Sequence, residues 1–321
     1  MAPIAHGRTG TLRLGKQADF VTPAPASPAY TQLPFYTHSL GLEGPLDDDP
    51  VLSRDAVLDP STPAPGLKNH GGALSVPVDL NQLGHWLRLV FGAPVTTDDT
   101  GGDFTHVFKS GAIELPAGTI EMQARSDVVL QHVGCMIDTW AMSTQRQAGY
   151  GRADFTIVGR TENRLSAPVD SDAAAVAEAR IPAFTGTLKI DDVAAAAVTD
   201  ANFTYANALA PHEGLDAAGL QTGYDTGMRA FTGQLTARFT DTVLYADAEA
   251  ASALSLEFLW SLAANKSLSV KAGVARLERA RIGVDGPGGI QVPYSFKAET
   301  DPDEAAKAML VVTLKNQVAA Y

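Results

Sequence analysis

Residues 58 to 92 pass in order through a polar loop, a strand and a short helix, and this succession restricts the fold more than any other feature of the chain. Asp59-Pro60-Ser61-Thr62-Pro63-Ala64-Pro65-Gly66 packs prolines so densely that backbone donors are lost and φ is fixed, which excludes it from the middle of a sheet. Asn69-His70-Gly71-Gly72 leads into Ala73-Leu74-Ser75-Val76-Pro77-Val78, which alternates with the period of a half-buried strand. From Asn81 to Phe91, residues Leu83, Leu87, Val90 and Phe91 fall at helical spacing and make one apolar face. Gly92 followed by Pro94 is a helix stop. Trp86, Leu87 and Phe91 are the helix-packing candidates.

The rest of the chain repeats this vocabulary. Short alternating runs separated by turn residues predict strands at Thr11–Gly15, Leu33–Glu43, Phe104–Phe108, Ile113–Leu115, Thr119–Gln123, Val128–Trp140 and Tyr150–Arg160. Later strands are expected at Phe184–Ile190, Asp200–Leu209, Phe231–Phe239, Ser252–Trp260, Lys266–Ala272, Val274–Ile282, Ile290–Ala298 and Met309–Lys315. A second helix is expected over Asp241–Ala251, and Asp285-Gly286-Pro287-Gly288-Gly289 reads as a hairpin turn. The fold class is therefore mainly β, with short flanking helices. The expected organisation is an N-terminal arm or linker (1–30), a first β unit (31–165) with a long loop at 44–71, a linker (166–183) whose Ala173–Arg180 run forms a short helix, and a second β unit (184–321).

The element order occurs twice. Strand, long loop, strand with Gly72 and Leu74, helix and further strands are followed by strand, loop (His212–Thr226), strand with Gly233 and Leu235, helix and further strands. The two glycines stand 161 positions apart, about half of the 321 residues. Identity between the halves is sparse, and the element order carries the duplication.

Ser53-Arg54-Asp55, Asp59-Pro60-Ser61-Thr62-Pro63, Gly66, Gly72-Ala73-Leu74-Ser75-Val76-Pro77 and Leu87-Arg88-Leu89-Val90-Phe91-Gly92 resemble, in order and spacing, the tail tube protein family of long-tailed bacteriophages. So do Leu14-Gly15-Lys16-Gln17, Phe231/Gly233/Leu235/Phe239 with Asp241, Leu244 and Tyr245, and Val284 to Ile290. The resemblance implies a tail-tube-type β-sandwich or barrel, duplicated here. It implies a structural virion protein, made in the host bacterial cytoplasm, whose rings stack into a siphovirus-type tail tube that conducts DNA. The ring is a trimer if each chain supplies two units and a hexamer otherwise. Tape measure protein and tail terminator are the implied partners, with DNA passing through the lumen unbound. The loop residues Asp47, Asp48, Asp49, Arg54, Asp55, Asp59, Pro60, Pro63, Pro65 and Gly66 become candidates for contact between rings.

Chemistry is sparse in the sequence. The seven histidines are dispersed; His106 and His132, both on strands, are the pair that could meet in space. No zinc-protease helix, nucleophile elbow or phosphate-binding loop is present, so no enzyme, cofactor or metal is expected. Asp47-Asp48-Asp49 with Asp55 departs from calcium-loop spacing. Cys135, the single cysteine, reads as inert core. Trp86, Trp140 and Trp260 read as core or interface anchors. No apolar run approaches the ~20 residues of a membrane span, and Met1–Gly10 lacks the core of a secretory signal. The net charge of −12 serves solubility or repels phosphate. Arg276, Arg279 and Arg281 form the one basic cluster and read as a solvated strand face. The alternative is a carbohydrate- or receptor-binding β-sandwich of a phage fibre or adhesin, which requires clustered exposed aromatics.

Overall fold

The computed structural model describes residues 7–26, 30–49, 62–284 and 286–321, without the side chain at position 8. In the first half the strands are β1 (Thr11–Lys16), β2 (Tyr30–Leu33), β3 (Thr37–His38), β4 (Gly41–Glu43), β5 (Leu46–Asp47), β6 (Ala64–Pro65) and β7 (Asn69–Pro77). Helix α1 (Leu83–Phe91) follows, then β8 (Val95–Asp98), β9 (Phe104–Lys109), β10 (Gly118–Arg125), β11 (Val128–Gln145), β12 (Arg152–Gly159), β13 (Thr161–Leu165) and β14 (Ala174–Ala175). The second half contains β15 (Gly186–Ile190), β16 (Val193–Ala194), β17 (Val198–Ala206), β18 (Leu209–His212), β19 (Gly223–Thr226) and β20 (Ala230–Arg238). Helix α2 (Val243–Ala250) precedes β21 (Leu254–Ala263), β22 (Lys266–Leu277), β23 (Gln291–Glu299) and β24 (Leu310–Asn316). The fold is mainly β.

The pairing order of the first half recurs in the second. β1 pairs with β2 and β10, β10 with β11, β11 with β12, β12 with β7, and β7 with β3 and β4. Likewise β15 pairs with β16 and β21, β21 with β22, β22 with β23, β23 with β20, and β20 with β17. The loop hairpins correspond too: Leu46↔Pro65 and Asp47↔Ala64 match Leu209↔Thr226 and Ala210↔Asp225. Gly72 and Gly233 occupy the same place for the same reason. A Cβ on Gly72, which also has φ +152°, would overlap the carbonyl oxygen of Ser39; a Cβ on Gly233 would overlap that of Asn202.

The halves share one ladder. The N-terminal part of β11 pairs with β10, and its C-terminal part, Thr139–Gln145, pairs with Ala206–Asp200 of β17. A second junction joins β24 to β9. Ring contacts continue through the core from Phe91 to Trp140 (5.9 Å), Trp140 to Phe203 (5.0 Å), Phe203 to Phe231 (5.2 Å) and Phe231 to Phe296 (5.6 Å). Helix α1 buries seven of its nine residues, whereas α2 buries Ala248 alone.

Several expectations change. The Ala173–Arg180 run is extended rather than helical. Its backbone is captured from the α1 side: Asn81 Nδ2 donates to the Ala177 carbonyl (3.0 Å), Gln82 Nε2 to that of Val176 (3.0 Å), and the Ala179 amide donates to Asp79 Oδ2 (2.6 Å). These bonds, with β14 pairing in parallel with β2, outweigh the helix propensity of alanine. Leu33–Glu43 is not one strand: Pro34 ends β2 at Leu33, and β3 and β4 follow as short pieces paired with β7. Ile113–Leu115 is not a strand; Ile113 is 84% exposed, and the Ala112 and Ile113 carbonyls accept from Arg229 and Thr226 side chains. The two strands expected at Lys266–Ala272 and Val274–Ile282 are one, β22, which leaves the ladder at Leu277. The 44–71 loop contains the β5–β6 hairpin and the start of β7.

Candidate assembly surfaces

Two loops project from equivalent places in the halves. Asp47, Asp48, Asp49, Pro65 and Leu46 are exposed and Pro63 and Gly66 half-buried on the first. The Gly66 amide donates to the Pro45 carbonyl (2.8 Å), closing the turn, and a Cβ there would first meet the movable Asp47 carboxylate at 2.7 Å. Arg54, Asp55, Asp59 and Pro60 lie outside the described residues. The second loop, between β18 and β19, exposes Leu215 fully. It is tied to the first half by Arg160, which donates to the Gln221 carbonyl (2.9 Å) and Asp216 Oδ2 (2.8 Å). Asp216 is held below the usual carboxylate range, first by the Ala218 amide and then by Arg160. The loops touch: the Lys68 amide donates to the Gly219 carbonyl (2.9 Å).

The helix-packing candidates Trp86, Leu87 and Phe91 are all buried. Trp86 packs on Phe155 (5.8 Å). Phe91 packs on Phe108 (6.4 Å), Trp140 (5.9 Å) and, across the junction, Tyr205 (4.8 Å). Sequence reasoning missed Asn207, which follows β17. Its fully buried amide donates to the Val90 carbonyl at the end of α1 (3.0 Å) and to that of Ile137 (2.9 Å). It missed Asp79, whose carboxylate accepts from Asn81 and Ala179 amides while burial raises its pKa. A helix end always leaves such groups to satisfy, but nothing in sequence says which distant residue does so.

His132 does not meet His106. It meets His70, with His70 Nε2 to His132 Nδ1 at 2.9 Å and Glu162 Oε2 3.7 Å from the latter. Burial lowers His70 to about 4 and His132 to about 3. These three residues are a group that could hold a metal. The two nitrogens, however, stand at hydrogen-bond spacing; zinc bonds of 2.0–2.1 Å in tetrahedral geometry need about 3.3 Å between them. One imidazole of the pair donates to the other, which joins β7 to β11 through a buried hydrogen bond. His106 instead contacts Thr96 Oγ1 (2.8 Å) and the Val318 carbonyl (2.8 Å).

Cys135 is fully buried, and burial pushes its thiol up to about 12. Trp86, Trp140 and Trp260 are at most 1% exposed, so none forms an exposed aromatic platform. Arg276 pairs with Glu299 (2.8 Å) and Arg279 with Glu249 (2.9 Å) at and beyond the end of β22. Among the described residues no helix is long and apolar enough to cross a membrane. Comparison with curated proteins finds no match. The family model described as phage tail tube protein matches residues 7–298.

Proposed function

Because the chain belongs to the phage tail tube protein family, and so serves as a structural component of the virion tail, we propose that its copies close into rings and that the rings stack into a siphovirus-type tube. DNA passes through the lumen from capsid to host. The observation that carries the reading is the recurrence of one pairing order along one ladder: each chain supplies two equivalent ring segments, and three chains build a ring of six. The β5–β6 and β18–β19 loops are the arms that reach the next ring. The net charge of −12 keeps DNA mobile, since each basic contact to phosphate would release counterions and favour adsorption. Tape measure protein and tail terminator are the partners along the tail, which assembles after synthesis in the host bacterial cytoplasm. A sugar-binding role has no support from the tryptophans, which are buried. Negative-stain microscopy of the concentrated protein and of virions tests the proposal. Stacked rings containing this chain are expected; a protein that stays monomeric and is missing from virions overturns it.

A further inference from the structure

The ladder of the second half ends earlier than that of the first. β11 continues past Ile137, pairing with β12 as far as Met142↔Ala153 and with β17 as far as Gln145↔Asp200. Its counterpart β22 stops at Leu277↔Phe296. Ile137 and Leu277 are equivalent, since Ile157 opposes both Ile137 and Gly72 while Phe296 opposes both Leu277 and Gly233. The residues that should continue β22 are Arg279–Val284. They alternate as a half-buried strand does, with Ala280, Ile282 and Val284 on one side, yet Ile282 is 40% and Val284 69% exposed. The missing neighbour is the counterpart of β17. Thr37 opposes Ser75 as Asp200 opposes Thr236, and Glu43 opposes Asn69 as Ala206 opposes Ala230. The counterpart is therefore the β3–β4 edge, Thr37–Glu43. Its ladder partner is β7 on one side, and the outward Leu42 amide is met by Glu162 Oε2 (3.3 Å).

We infer that Arg279–Val284 of one chain forms an antiparallel strand pair with the β3–β4 edge of a second copy, reproducing between chains the β11–β17 junction within the chain. This rests on the ring reading above and specifies its interface. The inner pairs of the junction, Trp140↔Tyr205, Met142↔Phe203 and Thr144↔Ala201, become Ala280↔Leu42, Ile282↔Leu40 and Val284↔His38. The outer ones become Arg279↔Glu43, Arg281↔Gly41 and Gly283↔Ser39. The parity is a check, since a slip of one residue would send the apolar set to the wrong face. Charge agrees: in the one basic cluster of an acidic chain, Arg279 would exchange its exposed partner Glu249 for Glu43 of the second copy. The contact is head-to-tail, the kind that closes a ring when the rotation allows. It also supplies what α2 lacks, because α1 owes part of its burial to Tyr205 and Asn207 across the junction.

The test is a disulfide between copies. In assembled protein, Gly41→Cys with Arg281→Cys should form a reducible bond between chains on oxidation, seen as multiples of the chain mass on a denaturing gel. A Cβ on Gly41 would meet Glu162 Oε2 at 4.0 Å, an ordinary van der Waals contact. Gly41→Cys with Ile282→Cys, whose second cysteine faces inward, should not cross-link. In parallel, Arg279→Glu should reduce ring yield at least tenfold, and Glu43→Arg in the same chain should restore it. Rings that form with no bond at 41/281, or a charge exchange that restores nothing, overturn this pairing and leave the ring proposal standing. A wild-type chain that never forms rings overturns both.

Discussion

Replacing Asn207 should cost more than its exposed neighbours suggest. Its carboxamide nitrogen bonds two carbonyls, Val90 at 3.0 Å and Ile137 at 2.9 Å, in a site with no solvent exposure, and Arg229 Nε donates to its oxygen at 3.3 Å. Each neutral hydrogen bond contributes about 1 kcal/mol net, and each buried carbonyl left unpaired costs about 1–3 kcal/mol. Asn207→Ala removes both donors and leaves a small cavity, so a loss of about 3 kcal/mol is expected. Asn207→Leu fills the space without restoring a donor and should lose about 2–3 kcal/mol. Urea unfolding of the unassembled chain, followed by tryptophan fluorescence, measures both from the shift in midpoint at unchanged slope. Asn207→Leu within about 0.5 kcal/mol of wild type would refute the argument that satisfied carbonyls, rather than packing, hold the junction between α1 and β17.

Gly72→Ala and Gly233→Ala should each destabilise by about 3 kcal/mol or more, because the new Cβ meets backbone rather than a movable side chain; near-equal losses of Tm would show that the halves use glycine alike. Burial lowers His70 and His85 to about 4 and His132 to about 3, so the unfolded chain binds more protons than the folded one between about pH 6.5 and those values. Stability should therefore be full above pH 6.5 and fall as pH drops through that window, and His70→Gln with His132→Gln should flatten the fall in acid denaturation curves. Deleting residues 58–66 should leave the monomer folded by circular dichroism and stop tube elongation; normal tubes would remove the loop from ring-to-ring contact.

The parts legible in the sequence were those set by local periodicity. The α1 stripe, the alternation in β7 and β20 and the spacing of Gly72 and Gly233 come from residues a few positions apart or from one repeated pattern. The parts that were not legible depend on distant partners. Ala173–Arg180 has helix propensity, but Asn81, Gln82 and Asp79 claim its backbone. His70 and His132 are 62 residues apart in sequence and share a hydrogen bond because β12 pairs with both β7 and β11. Val274–Ile282 has a strand pattern throughout its sequence, but the strand ends at Leu277, where ladder partners within the chain run out. The proposed pairing between copies would supply the partners that are missing beyond it.

The mass of the smallest solubilised ring tests the central claim most directly. Native mass spectrometry should give three chains of 33.7 kDa, about 100 kDa, with six-lobed averages in the microscope. A ring of six chains, or a stable isolated monomer at every concentration, would contradict the account in which each chain contributes two equivalent segments.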